Sequence, residues 1–367
     1  MLPDAGDFWD GCGTKNSTNP KNAGRISHTQ RVGRSFQMQG IFGMGAELKM
    51  GVIMWNICGQ KLSYGEKRQL ILTPAQTEYG IPATLICGVH PGKTLVVTAQ
   101  IHAGEYNGTP AVLRTAQEID PEKLTGNLVL MHCVNTSGFW QQHWRSLPED
   151  GFNLNADYPG RPDGTAGERL ADWFVKEIFP KADFLMDLHG GSVNEILTPC
   201  LFYPRAEKVM EESLAAARAL DVPYLIASDA AGGEYSYAAR YHAVPGLLLE
   251  RGYGGFCKEE WIEGHKRNIE LLLAHLGMYE SKAVKENQEQ KVFGHAVYLE
   301  SERAGLWYPA VKENDRIVKG QLLGRLEDMF GNVLQKFYAE GNGVVFYYTG
   351  GLSVREGDPL AAYGLEE

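Results

Sequence analysis

The sequence predicts an α/β domain with a mixed, largely parallel sheet, followed by a small all-β module. Three observations carry this reading. Between about Leu85 and Leu276, short apolar runs alternate with amphipathic helical stretches. The helical signals stop after about Lys285. Beyond that point, short β-rich runs recur between Gly and Asp-Gly turns.

Residues 11–43 hold no Asp or Glu, several Lys and Arg, and much Gly, Asn and Ser. That composition predicts disorder for residues 1–43. The stretch is either a basic, transit-like segment or an upstream extension with a natural start at Met44 or Met50; the extension is preferred. Thr94–Ala99, Leu128–Cys133, Phe184–Leu188 and Gly246–Leu249 read as buried strands. Thr109-Pro110 opens a helix, with proline expected at its first position. Thr165 followed by Glu168 is a capping box ahead of Leu170–Ile178. Glu207–Leu220 and Lys258–Leu276 read as further helices, the second long and amphipathic. Ala296–Leu299, Gly305–Tyr308, Val333–Tyr338 and Gly343–Tyr348 form the β module. The polar stretch Glu280–Gln290 is the expected boundary, dividing the chain into 1–43, a catalytic domain 44–285 and a β module 286–367.

A length of 367 residues suits two domains. Its 44% apolar and 22% charged content is that of a soluble globular protein. The formal net charge of -10 argues against nucleic acid or an anionic membrane as partner. No apolar run reaches the roughly 18–20 residues of a membrane span, and no apolar signal region opens the chain. The six cysteines are scattered without a C-x-x-C pair, which predicts reduced thiols and a cytoplasmic location.

Three short motifs carry possible chemistry. His102-Ala-Gly-Glu105 follows a predicted strand, and a spacing of three lets imidazole and carboxylate reach one ion. A lone motif of this kind recurs by chance. Asp187-Leu-His189 ends a second strand; alternation puts both side chains on one side, so Asp187 can hold a ligand imidazole. The plainer alternative is a helix-capping aspartate and a turn histidine. Leu249-Glu250 ends a third strand, and Glu250 is either a general base beside the metal or a solvated charge paired with Arg251. All three motifs fall where a strand meets its following loop, the edge at which open α/β sheets bind ligands. Two histidines and a glutamate with one open position form the ligand set of catalytic zinc sites.

With these residues on the page, the chain resembles the succinylglutamate desuccinylase/aspartoacylase family from roughly Gly65 to the C-terminus. The matching stretches are His102-Ala-Gly-Glu105-Tyr-Asn-Gly-Thr-Pro110, Asn135-Thr-Ser-Gly138, Arg145-Ser-Leu-Pro148, Asn153-Leu-Asn155, Tyr158-Pro-Gly160, Asp187-Leu-His189 and Leu249-Glu250. The resemblance implies a zinc carboxypeptidase-like fold, with helices on both faces of the sheet and a C-terminal barrel-like domain. It implies one zinc ion per chain, held by His102, Glu105 and His189. Glu250 would be the general base acting on zinc-activated water, and Arg145 would polarise the scissile carbonyl. Asn155 would match the Asn of an Asn-Arg pair that holds a substrate carboxylate, and Asn135 is taken as a second substrate-binding residue. The implied reaction is hydrolysis of an amide bond in an N-acyl amino acid or related small molecule.

One position departs from the family pattern. Where the family reads Asn-Leu-Asn-Arg, this chain has Ala156, which cannot make a bidentate carboxylate contact. Arg161 lies near but at the wrong spacing for a simple swap. The substrate is therefore open to neutral or basic compounds, given Asp157 and Asp163. Phe139 and Trp140, with Trp144, either pack in the core or wall the cleft, and His143 is the remaining histidine most worth testing. Two other functions compete: a metallo-exopeptidase, and a zinc-bearing binding protein without activity. A homo-oligomer is possible. The β module outlines a carrier domain, but its hairpin tip Leu326-Glu-Asp-Met-Phe-Gly-Asn332 lacks the lysine a carrier modifies.

Overall fold

Alternate residues of each central strand enter two separate cores, which makes this a sheet buried on both faces. Leu95, Val97 and Ala99 pack on one side with Phe184, Met186, Leu247 and Leu249. Val96, Leu185 and Leu248 pack on the other. A side-chain period of two produces this division, and burial of both faces explains why the strands read as unbroken apolar runs. The computed structural model describes residues 54–366, apart from 75, 76, 78, 287 and 288. The expectation for residues 1–43 lies outside the described residues.

The nine strands run in the order Lys291–Phe293, Tyr224–Ser228, Cys200–Pro204, Gly246–Glu250, Phe184–His189, His90–Ala99, Thr125–Met131, Ile81–Cys87 and Lys67–Leu72. Five of the eight neighbouring pairs are parallel and three antiparallel. The sheet is therefore mixed and largely parallel. Helices Gly108–Glu118, Met210–Ala219 and Glu259–His275 cover one face through Val112, Ala216 and Ile269. Helices Ala166–Trp173 and Glu234–His242 cover the other through Leu170 and Ala238.

The capping box forms as expected, with the Glu168 amide bonded to the Thr165 hydroxyl and the Glu168 carboxylate returning to the Thr165 amide. The proline helix starts earlier than expected. Its first residue is Gly108, after Asn107, so Pro110 is its third position. Proline is still tolerated there, because amides of the first turn have no partner inside the helix. Helices Thr136–Gln141 and Glu234–His242 and the strands Cys200–Pro204 and Tyr224–Ser228 were not expected from the sequence. The two helices are short and rich in aromatic or small residues, so their periodicity is weak.

The C-terminal β region forms two antiparallel sheets around a shared core that includes Trp307, Leu326, Phe337 and Tyr363. One strand crosses over in each direction. Lys291–Phe293 extends the central sheet beside Tyr224–Ser228. Glu195–Leu197, which follows the His189 strand, pairs with Gly343–Thr349 of the C-terminal region.

Candidate active site

The strand His90–Ala99 ends at Gln100, a fully buried non-glycine residue at φ 60°. This left-handed kink is uncommon outside glycine; it turns the chain and carries His102 and Glu105 over the sheet edge. The neighbouring strand runs parallel, with Ala99 opposite Leu188, so His189 reaches the same edge. On its other side Glu250 lies directly opposite His189.

Glu105 stands between two imidazoles. Its Oε1 lies 2.9 Å from His102 Nδ1, and its Oε2 lies 2.9 Å from His189 Nδ1. The rings meet edge to face with centroids 4.9 Å apart. Candidate ligand atoms of the three residues all lie within 4.8 Å of one another.

The far ring nitrogens are anchored. His189 Nε2 lies 2.8 Å from Asp187 Oδ2, and Asp187 Oδ1 accepts from Thr98 Oγ1 at 3.0 Å. His102 Nε2 lies 3.1 Å from Asn153 Oδ1, an oxygen that also accepts the Asn155 amide at 2.9 Å. Both far nitrogens face acceptors, so each is assigned the ring N–H. The Nδ1 lone pairs then point at a carboxylate that can only accept. Such a cluster holds together only around a positive charge, either a proton or a metal ion. An N, N, O set with anchored imidazoles fits a catalytic zinc position.

The electrostatics agree with this geometry. Burial works to raise the Glu105 carboxyl, but His102 and His189 outweigh it and hold it down at about 2. Burial works to lower His189, yet Asp187 and Glu105 outweigh it and hold the imidazole well above its ordinary range. Burial first, and then the Glu105 charge, push the Glu250 carboxyl up to about 8. Among the described residues its buried Oε2 has no hydrogen-bond partner.

A cavity of about 290 Å³ opens beside these groups, lined by His102, Glu105, Glu250, Arg145 and Asn155. Its remaining polar wall includes Glu195, Ser228, Tyr235, Tyr298 and Tyr347. Arg145 is exposed and makes no ion pair within 4.0 Å among the described residues. The structure therefore gathers His102, Glu105, His189, Asp187, Glu250, Arg145 and Asn155 at one place.

Asn135 is a correction to the expectation that it binds substrate. It is fully buried. Its Oδ1 accepts the Gly138 amide at 2.9 Å and caps the helix Thr136–Gln141. Its Nδ2 donates to the carbonyls of Ile101 at 3.4 Å and Ser146 at 3.3 Å. With these bonds spent on backbone, Asn135 ties down the loop before His102 and does not line the cavity. An Asn ahead of Thr-Ser-Gly is itself an N-cap signal.

Other positions near the site are placed elsewhere. Arg161 pairs with Glu168 at 2.8 Å and does not line the cavity. The Asp157 carboxylate accepts the Asn153 amide at 2.7 Å, and neither Asp157 nor Asp163 lines the cavity. Phe139 and Trp140 stack edge to face at 4.8 Å, with Trp140 79% exposed. Neither these two nor Trp144 lines the cavity. His143 is exposed and contacts Ser146 Oγ at 3.1 Å.

Sequence reading assigned no role to Asn153, Thr98, Glu195, Tyr298 or Tyr347. Asn153 stood inside a matching stretch, so a signal existed. Glu195 and the tyrosines reach the cavity only through pairing between distant strands, which no local pattern records.

Comparison with known proteins agrees with this architecture. A family model for the succinylglutamate desuccinylase/aspartoacylase catalytic domain matches residues 91–276. An N-alpha-acetyl-L-2,4-diaminobutyric acid deacetylase from Halomonas elongata is 28% identical over 283 residues, covering 74% of this chain and 81% of the relative. The product-bound structure of the ectoine utilization protein EutE (DoeB) from Ruegeria pomeroyi superposes with a TM-score of 0.73 at 25% identity, over 82% of this chain and 95% of that one. A succinylglutamate desuccinylase from Silicibacter sp. TM1040 gives a TM-score of 0.72 at 25% identity, over 82% and 95%.

Proposed function

This chain belongs to the succinylglutamate desuccinylase/aspartoacylase family, and from that premise we propose that it is a zinc-dependent deacylase that hydrolyses the amide bond of an N-acyl amino acid or a related small molecule. The family contains deacylases and deacetylases, as its named relatives illustrate. The observation that carries the zinc assignment is the placement of two Nδ1 lone pairs on opposite oxygens of one carboxylate. His102, Glu105 and His189 would hold one zinc ion per chain. A bound zinc ion supplies Lewis acidity toward a carbonyl oxygen and acidifies water at neutral pH.

The chain's own residues do the rest. Glu250, with an oxygen free of partners, takes a proton from the attacking water as its oxygen bonds to the amide carbon. The Arg145 guanidinium offers donors to the oxyanion that develops, a contribution of roughly 3–4 kcal/mol for a well-placed donor. Glu250 then returns the proton to the leaving nitrogen as the carbon–nitrogen bond breaks. Asp187 and Asn153 keep the imidazoles in the tautomer the reaction needs. Asn155, on the cavity wall, would contact the substrate.

A cavity of about 290 Å³ is on the scale of a small-molecule site, and the loss of a carboxylate-binding arginine at Ala156 favours deacylation over the exopeptidase reading. The expected location remains the cytoplasm; among the described residues, no helix is long and apolar enough to cross a membrane. The test is metal analysis combined with a hydrolysis screen of N-acyl amino acids, including Nα-acetyl-2,4-diaminobutyrate. One zinc per chain and turnover that chelation abolishes are expected. A metal-replete protein that hydrolyses none of them would favour the binding-protein alternative.

A further inference from the structure

Glu195 is the one charged group of the cavity that the proposed chemistry leaves unused. It follows His189 closely in sequence but leaves the central sheet. Its strand pairs antiparallel with the C-terminal region, Glu195 opposite Thr349 and Leu197 opposite Tyr347. This pairing turns the carboxylate into the cavity wall shared with His102, Arg145 and Tyr347. Among the described residues the Glu195 carboxylate has one hydrogen bond, from the Ser192 amide to Oε2 at a long 3.3 Å. Among the described residues it has no ion-pair partner within 4.0 Å. Burial first, and then the Glu105 charge, act against its ionised form, and the Ser192 amide, Arg145 and His102 offset them only in part.

A carboxylate held inside a cavity without a paired cation is unfavourable in the free protein, and an incoming cation relieves that cost. Setting aside the zinc ligands and the base, the charged lining is one guanidinium, Arg145, and one carboxylate, Glu195. Those two charges balance, but the chemistry above commits Arg145 to the oxyanion, and this chain has Ala156 where the family has a second arginine, so Glu195 is left to face the substrate. We propose that Glu195 holds an ammonium group of the substrate, so that the site selects an acylated diamine, one nitrogen bearing the acyl group and the other a positive charge. The inference rests on the deacylase reading above and adds a specificity residue to it.

The experiment uses the zinc-loaded full chain and matched compounds. Nα-acetyl diamino acids with two or three side-chain methylenes are compared with Nα-acetylnorvaline and Nα-acetylnorleucine, in which methyl replaces ammonium. The wild type is expected to favour the cationic member by about 100-fold in kcat/KM, the scale of a hydrogen-bonded charge. Glu195→Gln keeps the shape and an acceptor for the Ser192 amide but removes the charge. It is expected to collapse that ratio, through KM and not kcat, at unchanged zinc content. Calorimetry with the free diamino acids reads the same contact without turnover, and their affinity should fall by a similar factor. A wild type that hydrolyses both members of each pair equally overturns the inference and leaves deacylation standing. A Glu195→Gln protein that keeps the wild-type ratio overturns it as well. If no N-acyl compound is hydrolysed but diamino acids bind through Glu195, the ammonium site stands and the deacylase reading falls.

Discussion

The two ends of the cavity are built in different ways. At the ligand end, His102, Glu105, His189 and Glu250 all leave adjacent strands of one buried sheet. Each imidazole is held at both nitrogens, and Asp187 is itself held by Thr98. The opposite wall comes from Glu195–Leu197 and the C-terminal region, with Tyr298 and Tyr347 on strands of a different sheet. There Glu195 keeps one long bond and Tyr298 is 51% exposed. Reacting groups need fixed geometry, which buried strands and anchored ligands provide. The groups of the opposite wall sit on elements separate from the His102, Glu105 and His189 cluster, so they can change without disturbing it.

The sharpest way to break this division is Glu250→Gln. It should lower kcat by about 10³-fold while zinc content is unchanged. A variant with near-normal turnover on a confirmed substrate removes Glu250 as the base. Asp187→Asn should weaken zinc affinity by about 10- to 100-fold, read by competition with a chelator. Unchanged affinity would mean that His189 is oriented without Asp187.

Acidity tests the same end of the cavity. Asp187 and Glu105 hold His189 well above its ordinary value near 6.5, against the opposing effect of burial. The metal-free fold therefore gains stability from that proton below the unfolded value, and loses it as pH rises through the folded one. Zinc must displace the proton, so its affinity should rise about tenfold per pH unit while His189 is protonated. A zinc affinity independent of pH between about 6 and 8 would contradict this linkage.

Smaller effects are expected away from the ligands. Tyr347→Phe should shift KM by about fivefold, the scale of one neutral hydrogen bond. If it reduced kcat as severely as Glu250→Gln, the two ends of the cavity would not be separable. Asn135→Ala should cost about 1 kcal/mol of stability in thermal unfolding through loss of the N-cap, with little change in KM. A large rise in KM would return Asn135 to the substrate site.

The sheet and the gathering of His102, Glu105 and His189 at one edge were legible in the sequence because each is written locally. Unbroken apolar runs mark strands buried on both faces, as in Gly246–Leu249 of the strand Gly246–Glu250. The ligands fall within a few residues of strand ends, where spacing alone brings them to one edge. The capping box at Thr165 was readable for the same reason. Asn135 was legible in part: its cap on Gly138 is local, whereas its bonds to the carbonyls of Ile101 and Ser146 depend on how separate segments meet. Only the tertiary structure decided which side chains line the opposite wall of the cavity. Glu195 reaches the cavity because its strand pairs with one about 150 residues later, and the energy of that pairing depends on contacts that no local pattern contains.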